Sequence, residues 1–145
     1  MKNWFALIAL FFSTSVAAEE RAPLDYIKQI KQIEVILDDG AIDACWTNLK
    51  ESREYTEEKI RMAGGNLYET GERYWPDYYV LLLAVRSKRY LDGTCFGTIV
   101  ADLKTGTNIN GAYHDASARS MMTYFTGASN ANALVINLVQ GFFKE

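Results

Sequence analysis

Histidine, carboxylate and hydroxyl groups crowd together once in this 145-residue chain, in Tyr113-His114-Asp115-Ala116-Ser117, and His114 is its only histidine. A histidine with an acid and a serine is the set used for acyl transfer, but a working triad is assembled by residues brought together in space and oriented by a third group. Neighbours in one short loop do not supply that geometry, and no nucleophile-elbow pattern is present. His114 is therefore expected to be a solvated loop residue. Lys104-Thr105-Gly106 has the form of one signature of penicillin-recognising serine enzymes. The Ser-x-x-Lys and Ser-Asp-Asn elements that those enzymes also need are missing, so it reads as the polar end of a strand.

A third cluster is richer. Glu69, Glu72 and Asp77 lie among Tyr68, Tyr74, Trp75, Tyr78 and Tyr79. Rings stack on sugar faces and paired acids cleave glycosidic bonds, so carboxylates among aromatics are what a sugar site contains. The commoner arrangement puts some rings in the core and leaves the acids to solvate the loop. Aromatic residues are also enriched among interface hot spots. Tyr68, Glu69, Glu72, Tyr74, Trp75 and Tyr78 accordingly form the candidate binding surface. Material for a metal site is thin: one histidine, two cysteines and no calcium-loop pattern. Gly64-Gly65 stands alone and is no phosphate loop, so neither cofactor nor metal is expected.

The ends and the cysteines indicate the compartment. Lys2, the uncharged apolar run Trp4 to Phe12, the small residues Ser13 to Ala18 and then Glu19-Glu20 have the order of a secretory signal. Small residues one and three positions before the cut place cleavage after Ala17 or Ala18. The apolar run is too short for a spanning helix, which needs roughly 20 residues. Cys45 and Cys95 are the only cysteines, and an even count in an exported chain reads as one disulfide. Losing Lys2 with the leader takes the net charge from −3 to −4. Such a balance offers no basic face for nucleic acid and no basic amphipathic stretch for an anionic membrane.

These residues need elements to position them. Residues 19–145 suffice for one domain with a real core. Leu24, Ile27, Ile30, Ile33 and Leu37 at helical spacing predict a helix from Pro23 to about residue 37, with Ile33 to Leu37 readable instead as a short strand. A second helix is expected over residues 41–63, with Cys45 on its inner face, outer pairs such as Lys50 with Glu54, and Gly64-Gly65 at its end. Leu67 to Thr70 reads as a short strand and Tyr78 to Val85 as a covered central strand. Asp92-Gly93 marks a turn, Cys95 to Leu103 alternates as a strand, and Lys104 to Ser117 reads as a polar loop. Arg119 to Thr126 follows as a strand, Gly127 to Ser129 as a turn, and residues 130–144 as a last helix. The sum is an α+β fold: two N-terminal helices, an antiparallel meander of three to four strands, and a C-terminal helix packed on one sheet face.

With no complete catalytic set in a small, exported, disulfide-tied domain, the expected function is non-catalytic binding of another envelope or secreted protein in the periplasm or outside the cell. An inhibitor, an immunity factor or an accessory subunit fits that description. The competing expectation is a small hydrolase of cell-wall or sugar substrates using carboxylates of residues 69–77 or His114. Replacing Tyr74 and Trp75 with Ala is expected to abolish partner capture from an envelope extract while leaving the fold intact; unchanged pull-down would remove that segment from the binding surface.

Overall fold

The computed structural model describes residues 24–70 and 77–144. A short 3-10 turn, Leu24–Gln29, leads into strand β1 (Gln32–Ala41), helix α1 (Leu49–Met62), strands β2 (Tyr78–Arg89), β3 (Cys95–Ile109) and β4 (Ala112–Ala128), and helix α2 (Asn132–Phe142). The strands form one sheet in the order β1-β2-β3-β4, with β1 parallel to β2 and the other pairs antiparallel. The fold is thus α+β with a mixed four-stranded sheet and two helices. None of the described helices is long and apolar enough to cross a membrane.

The two-helix N-terminal half expected from the sequence is corrected at both of its helices. Within the stretch read as a helix to about residue 37, Leu24–Gln29 form a short 3-10 helix and Ile33 to Leu37 belong to β1, the strand that was the alternative reading of those residues. Ile33 and Val35 are buried and Glu34 and Ile36 are not, which is the period of two of a strand. Because β1 runs parallel to β2, the first connection is a helical crossover rather than a hairpin, and the sheet is not a pure meander. The second helix begins at Leu49, not residue 41. Asp43 and Ala44 both adopt left-handed backbone (φ 58° and 55°), which no continuing right-handed helix allows. Cys45 is fully buried, as expected, but in the loop that precedes α1.

That loop is held from several sides. Cys45 is bonded to Cys95 at the start of β3, closing 50 residues of chain. The Arg89 guanidinium donates to the carbonyls of Asp43 (3.0 Å), Ala44 (3.2 Å), Ser129 (3.0 Å) and Gly93. Ala131 N–H donates to Cys45 O at 2.6 Å, and the Asn132 amide bonds both the N–H and the hydroxyl of Thr47. The ends of β1, β2 and β4 and the starts of β3 and α2 therefore meet at one cross-linked corner. Trp46 is buried beside it, with its indole N–H 3.3 Å from Ser52 Oγ.

The polar loop expected over residues 104–117 is instead a continuation of β3 and β4, joined at Asn110-Gly111. Both turn residues have positive φ (52° and 84°), the tight hairpin conformation that Asn-Gly favours. Beyond Thr105, which pairs with Tyr79, no third strand among the described residues pairs with the hairpin, which continues as a two-stranded ribbon. Two register shifts, both with the extra residue in β4, fall between the pairs of Cys95 and Gly97 and of Leu103 and Lys104.

The core lies on one face of the sheet. Ile33 and Val35 of β1, Leu81, Leu83 and Val85 of β2, and Ile99, Ala101 and Leu103 of β3 pack against Ile60 of α1 and Val135, Leu138, Val139 and Phe142 of α2. Cutting the corner bond tests its weight. In the chain-entropy model a 50-residue loop contributes about 4 kcal/mol, so Cys45→Ser with Cys95→Ser should lower the melting temperature by roughly 10–20 °C. A melt within about 2 °C of the wild type would show that the corner does not depend on it.

Candidate binding surface

The second face of the sheet is built from the alternate residues of the same strands. Following the register outward from β1, Glu34 lies beside Val80, Lys104 and Ser117. The next rows are Ile36, Leu82, Asp102 and Ser120; Asp38, Ala84, Val100 and Met122; and Gly40, Arg86, Thr98 and Tyr124. Both helices pack on the opposite face, and no described element covers this one. Ile36, Met122 and Tyr124 are 38%, 53% and 72% exposed, while Val80, Leu82, Ala84 and Val100 are half-buried by their neighbours within the sheet.

Four of the charges on this face, Asp38 with Arg86 and Asp102 with Lys104, are paired with one another, while Glu34 accepts from Tyr78 and Lys88 is exposed in the row beyond Arg86. Arg86 bonds the Asp38 carboxylate and also donates to the Asp38 carbonyl at 3.2 Å. Gly40 makes room for it, since a Cβ there would sit 2.6 Å from Arg86 Cδ. The hydrogen bond from Arg86 holds the Asp38 carboxyl below its ordinary pKa. Lys104 lies 3.4 Å from the Asp102 carboxylate, which also accepts from the Ser117 hydroxyl. What the face presents between these pairs is apolar.

Aromatic groups bound the face at both ends. At one end Tyr78 is buried, its hydroxyl donating to Glu34, with the Tyr68 ring edge-on at 5.6 Å. Among the described residues of the sequence-predicted surface, Tyr68 and Tyr78 are thus brought together, while Glu69 is exposed on the chain beyond. Glu72, Tyr74 and Trp75 lie outside the described residues. At the other end Tyr90 stacks on Phe96 with ring centroids 4.0 Å apart. These two rings, with Gly97, Thr98, Tyr124, Phe125 and Thr126, line a shallow cleft of about 490 Å³. Gly97 is required there because a Cβ would lie 2.1 Å from Arg86 O. This end escaped sequence reasoning: Tyr90 and Phe96 flank the Asp92-Gly93 turn, but Tyr124 lies 28 residues beyond Phe96 and only the strand register brings it to them.

The candidate catalytic groups are dispersed. His114 and Ser117 stand three residues apart on β4, which sends them to opposite faces. Glu69 follows Leu67, which bridges the outer edge of β1, whereas His114 lies on β4 at the other edge. Four strand spacings, on the order of 19 Å, separate those lines of chain. Lys104-Thr105-Gly106 is in the interior of β3, its lysine engaged with Asp102. No group of three or more His, Cys, Asp or Glu side chains among the described residues is placed to hold a metal ion.

Comparison with known proteins places the chain in no family. No family model matches it and no curated protein is similar. Among solved structures, the PelC L103M dodecamer from Paraburkholderia phytofirmans aligns over 77% of this chain and 84% of its own at 16% identity, with a TM-score of 0.41. A crystal structure of an uncharacterized protein aligns over 78% and 85% at 12% identity, with a TM-score of 0.29. Neither likeness is strong enough to define a shared fold.

The Arg86–Asp38 pair makes a prediction with a definite sign. A depressed carboxylate pKa stabilises the fold above the ordinary aspartate value and loses that effect as pH falls through the folded-state value. Carboxyl-detected NMR titration should therefore place Asp38 below an ordinary aspartate, and Arg86→Ala should move the midpoint upward. A midpoint unchanged by that substitution would contradict the pairing.

Proposed function

We propose that this chain is an exported, non-catalytic binding protein whose uncovered sheet face engages an apolar surface on another protein. One observation carries the reading: exposed Ile36, Met122 and Tyr124 with half-buried Leu82 and Val100 form an apolar field whose neighbouring charges, Asp38 with Arg86 and Asp102 with Lys104, already neutralise each other. Removing such a field from water is favourable at about 25 cal/mol per Å² of apolar surface. Ion pairs satisfied within the face do not demand a charged partner in return. Aromatic residues at its ends, Tyr90 and Tyr124 at one and Tyr68 at the other, are the residue type that dominates protein interfaces.

Export has separate support. The charged, apolar and small-residue order of residues 1–18 is that of a cleavable leader, and the Cys45–Cys95 bond belongs to an oxidising compartment such as the periplasm. The small size of the domain and the separation of His114 from Glu69 favour an inhibitor, immunity factor or accessory subunit over a hydrolase.

Affinity capture from the native envelope fraction, followed by mass spectrometry, tests the reading. Wild-type protein should retain a defined partner, and Ile36→Lys or Tyr124→Ala should each weaken capture by roughly tenfold or more, the scale of an interface hot spot. Both side chains are exposed, so the thermal melt should stay within about 0.5 kcal/mol of the wild type. Equal capture by both variants would refute the role of the open face.

A further inference from the structure

The two edges of the sheet are treated differently. On the outer side of β1, Ile33 N–H donates to Asn66 O at 2.8 Å, Ile33 O accepts from Tyr68 N–H at 2.9 Å, and Val35 O accepts from Arg53 at 2.6 Å. That edge is capped. Along β4 the two bulges isolate a regular stretch, Arg119–Phe125, and no described segment pairs with its outer side. Proteins blunt such edges with charges, prolines or covering loops. Here the bulges shorten the edge, yet the stretch between them carries neither proline nor any charge after Arg119.

Charge is absent from the whole flank. From Ser120 to Phe143 the chain contains no Asp, Glu, Lys, Arg or His, although it crosses an exposed strand and a surface helix. Helix α1, by contrast, carries Lys50, Glu51, Arg53, Glu54, Glu57, Glu58, Lys59 and Arg61. Depletion of charge is the compositional mark of an interface core. Between α2 and β4 lies a cleft of about 340 Å³ lined by Met121, Met122, Thr123, Leu134, Asn137 and Leu138.

We infer that this flank is a two-fold dimer interface, in which β4 pairs antiparallel with β4 of a second copy about Met122, the centre of the regular stretch. In that register Met122 meets Met122, Ser120 meets the second copy's Tyr124, and Met121 meets Thr123. Arg119, the one charge, meets the ring of Phe125, so no like charges are opposed. The helices fit the same axis. Helix α2 lies over β3 and β4, about one strand spacing inside the two-fold. Two such helices are then roughly 10 Å apart, the distance at which helices pack, with Leu134 and Asn137 covering the cleft. The occupant is a second copy because the exposed strand, the uncharged helix and the cleft complement themselves across one axis. This interface does not depend on the proposed role of the open face.

Sedimentation velocity of the purified, disulfide-bonded protein tests it. The expected result is a species of twice the chain mass at high concentration that dissociates on dilution. Met122→Lys sets two lysines directly against each other and should weaken association at least tenfold, whereas Ile36→Lys, at the far edge, should leave it unchanged. Met122→Cys should give an oxidant-dependent cross-linked dimer, and Ile36→Cys should not. A wild-type protein monomeric at every concentration overturns the proposal. So does association that survives Met122→Lys, or that Ile36→Lys destroys equally, which would place the contact on the open face instead.

Discussion

Two parallel strands cannot be joined by a tight turn, and the pairing of β1 with β2 is the constraint from which the rest of the molecule follows. The chain leaving β1 must travel back the length of the sheet before β2 begins, and α1 makes that journey on one face. Only α2 remains to complete the cover, and it packs beside α1 and against β3 and β4. With both helices committed to one side, no helix among the described residues is left to cover the other face. The cross-linked corner of Cys45, Cys95 and Arg89 fixes this choice by tying the approach to α1, the start of β3 and the approach to α2 together. Left-handed backbone at Asp43 and Ala44 is a local cost that those bonds offset.

Where the apolar period was unambiguous, the sequence was a good guide. Tyr78 to Val85 forms the core of β2, Cys95 to Leu103 that of β3, and Leu134, Val135, Leu138 and Phe142 place α2 to within two residues of its ends. The disulfide followed from cysteine count and context alone. Misreadings arose where two periods coexist. Ile27, Ile30, Ile33 and Leu37 fit a helix, yet Ile33, Val35 and Leu37 also alternate, and only pairing with β2 decides between them. At Asn110-Gly111 the hairpin signal was present and was outweighed by the polarity of residues 104–117, which a ribbon solvated on both faces shares with a loop. The start of α1 was not legible, because Cys45 and Trp46 are as apolar as helix-face residues and are buried in a loop by a bond to a distant strand.

The candidate surface was legible only in part. An aromatic cluster is visible in composition, and two of its members, Tyr68 and Tyr78, do meet. The apolar field between Ile36 and Tyr124 is invisible in sequence because each strand contributes one or two residues to it. Strand register assembles the field, and register is a tertiary property. The same holds for the cancellation of charge: Asp38 and Arg86 are neighbours only because β1 lies beside β2. A chain read linearly shows scattered charges, whereas the folded sheet shows a nearly neutral apolar face.

Hydroxyl-radical footprinting of the isolated protein tests most directly whether one face of the sheet is bare. Leu82, Val100 and Tyr124 should label readily, while Leu81, Leu83 and Ile99, one residue away on the same strands, should be protected. Equal protection of both sets would mean that another part of the chain covers the second face, and the proposed binding surface would not exist.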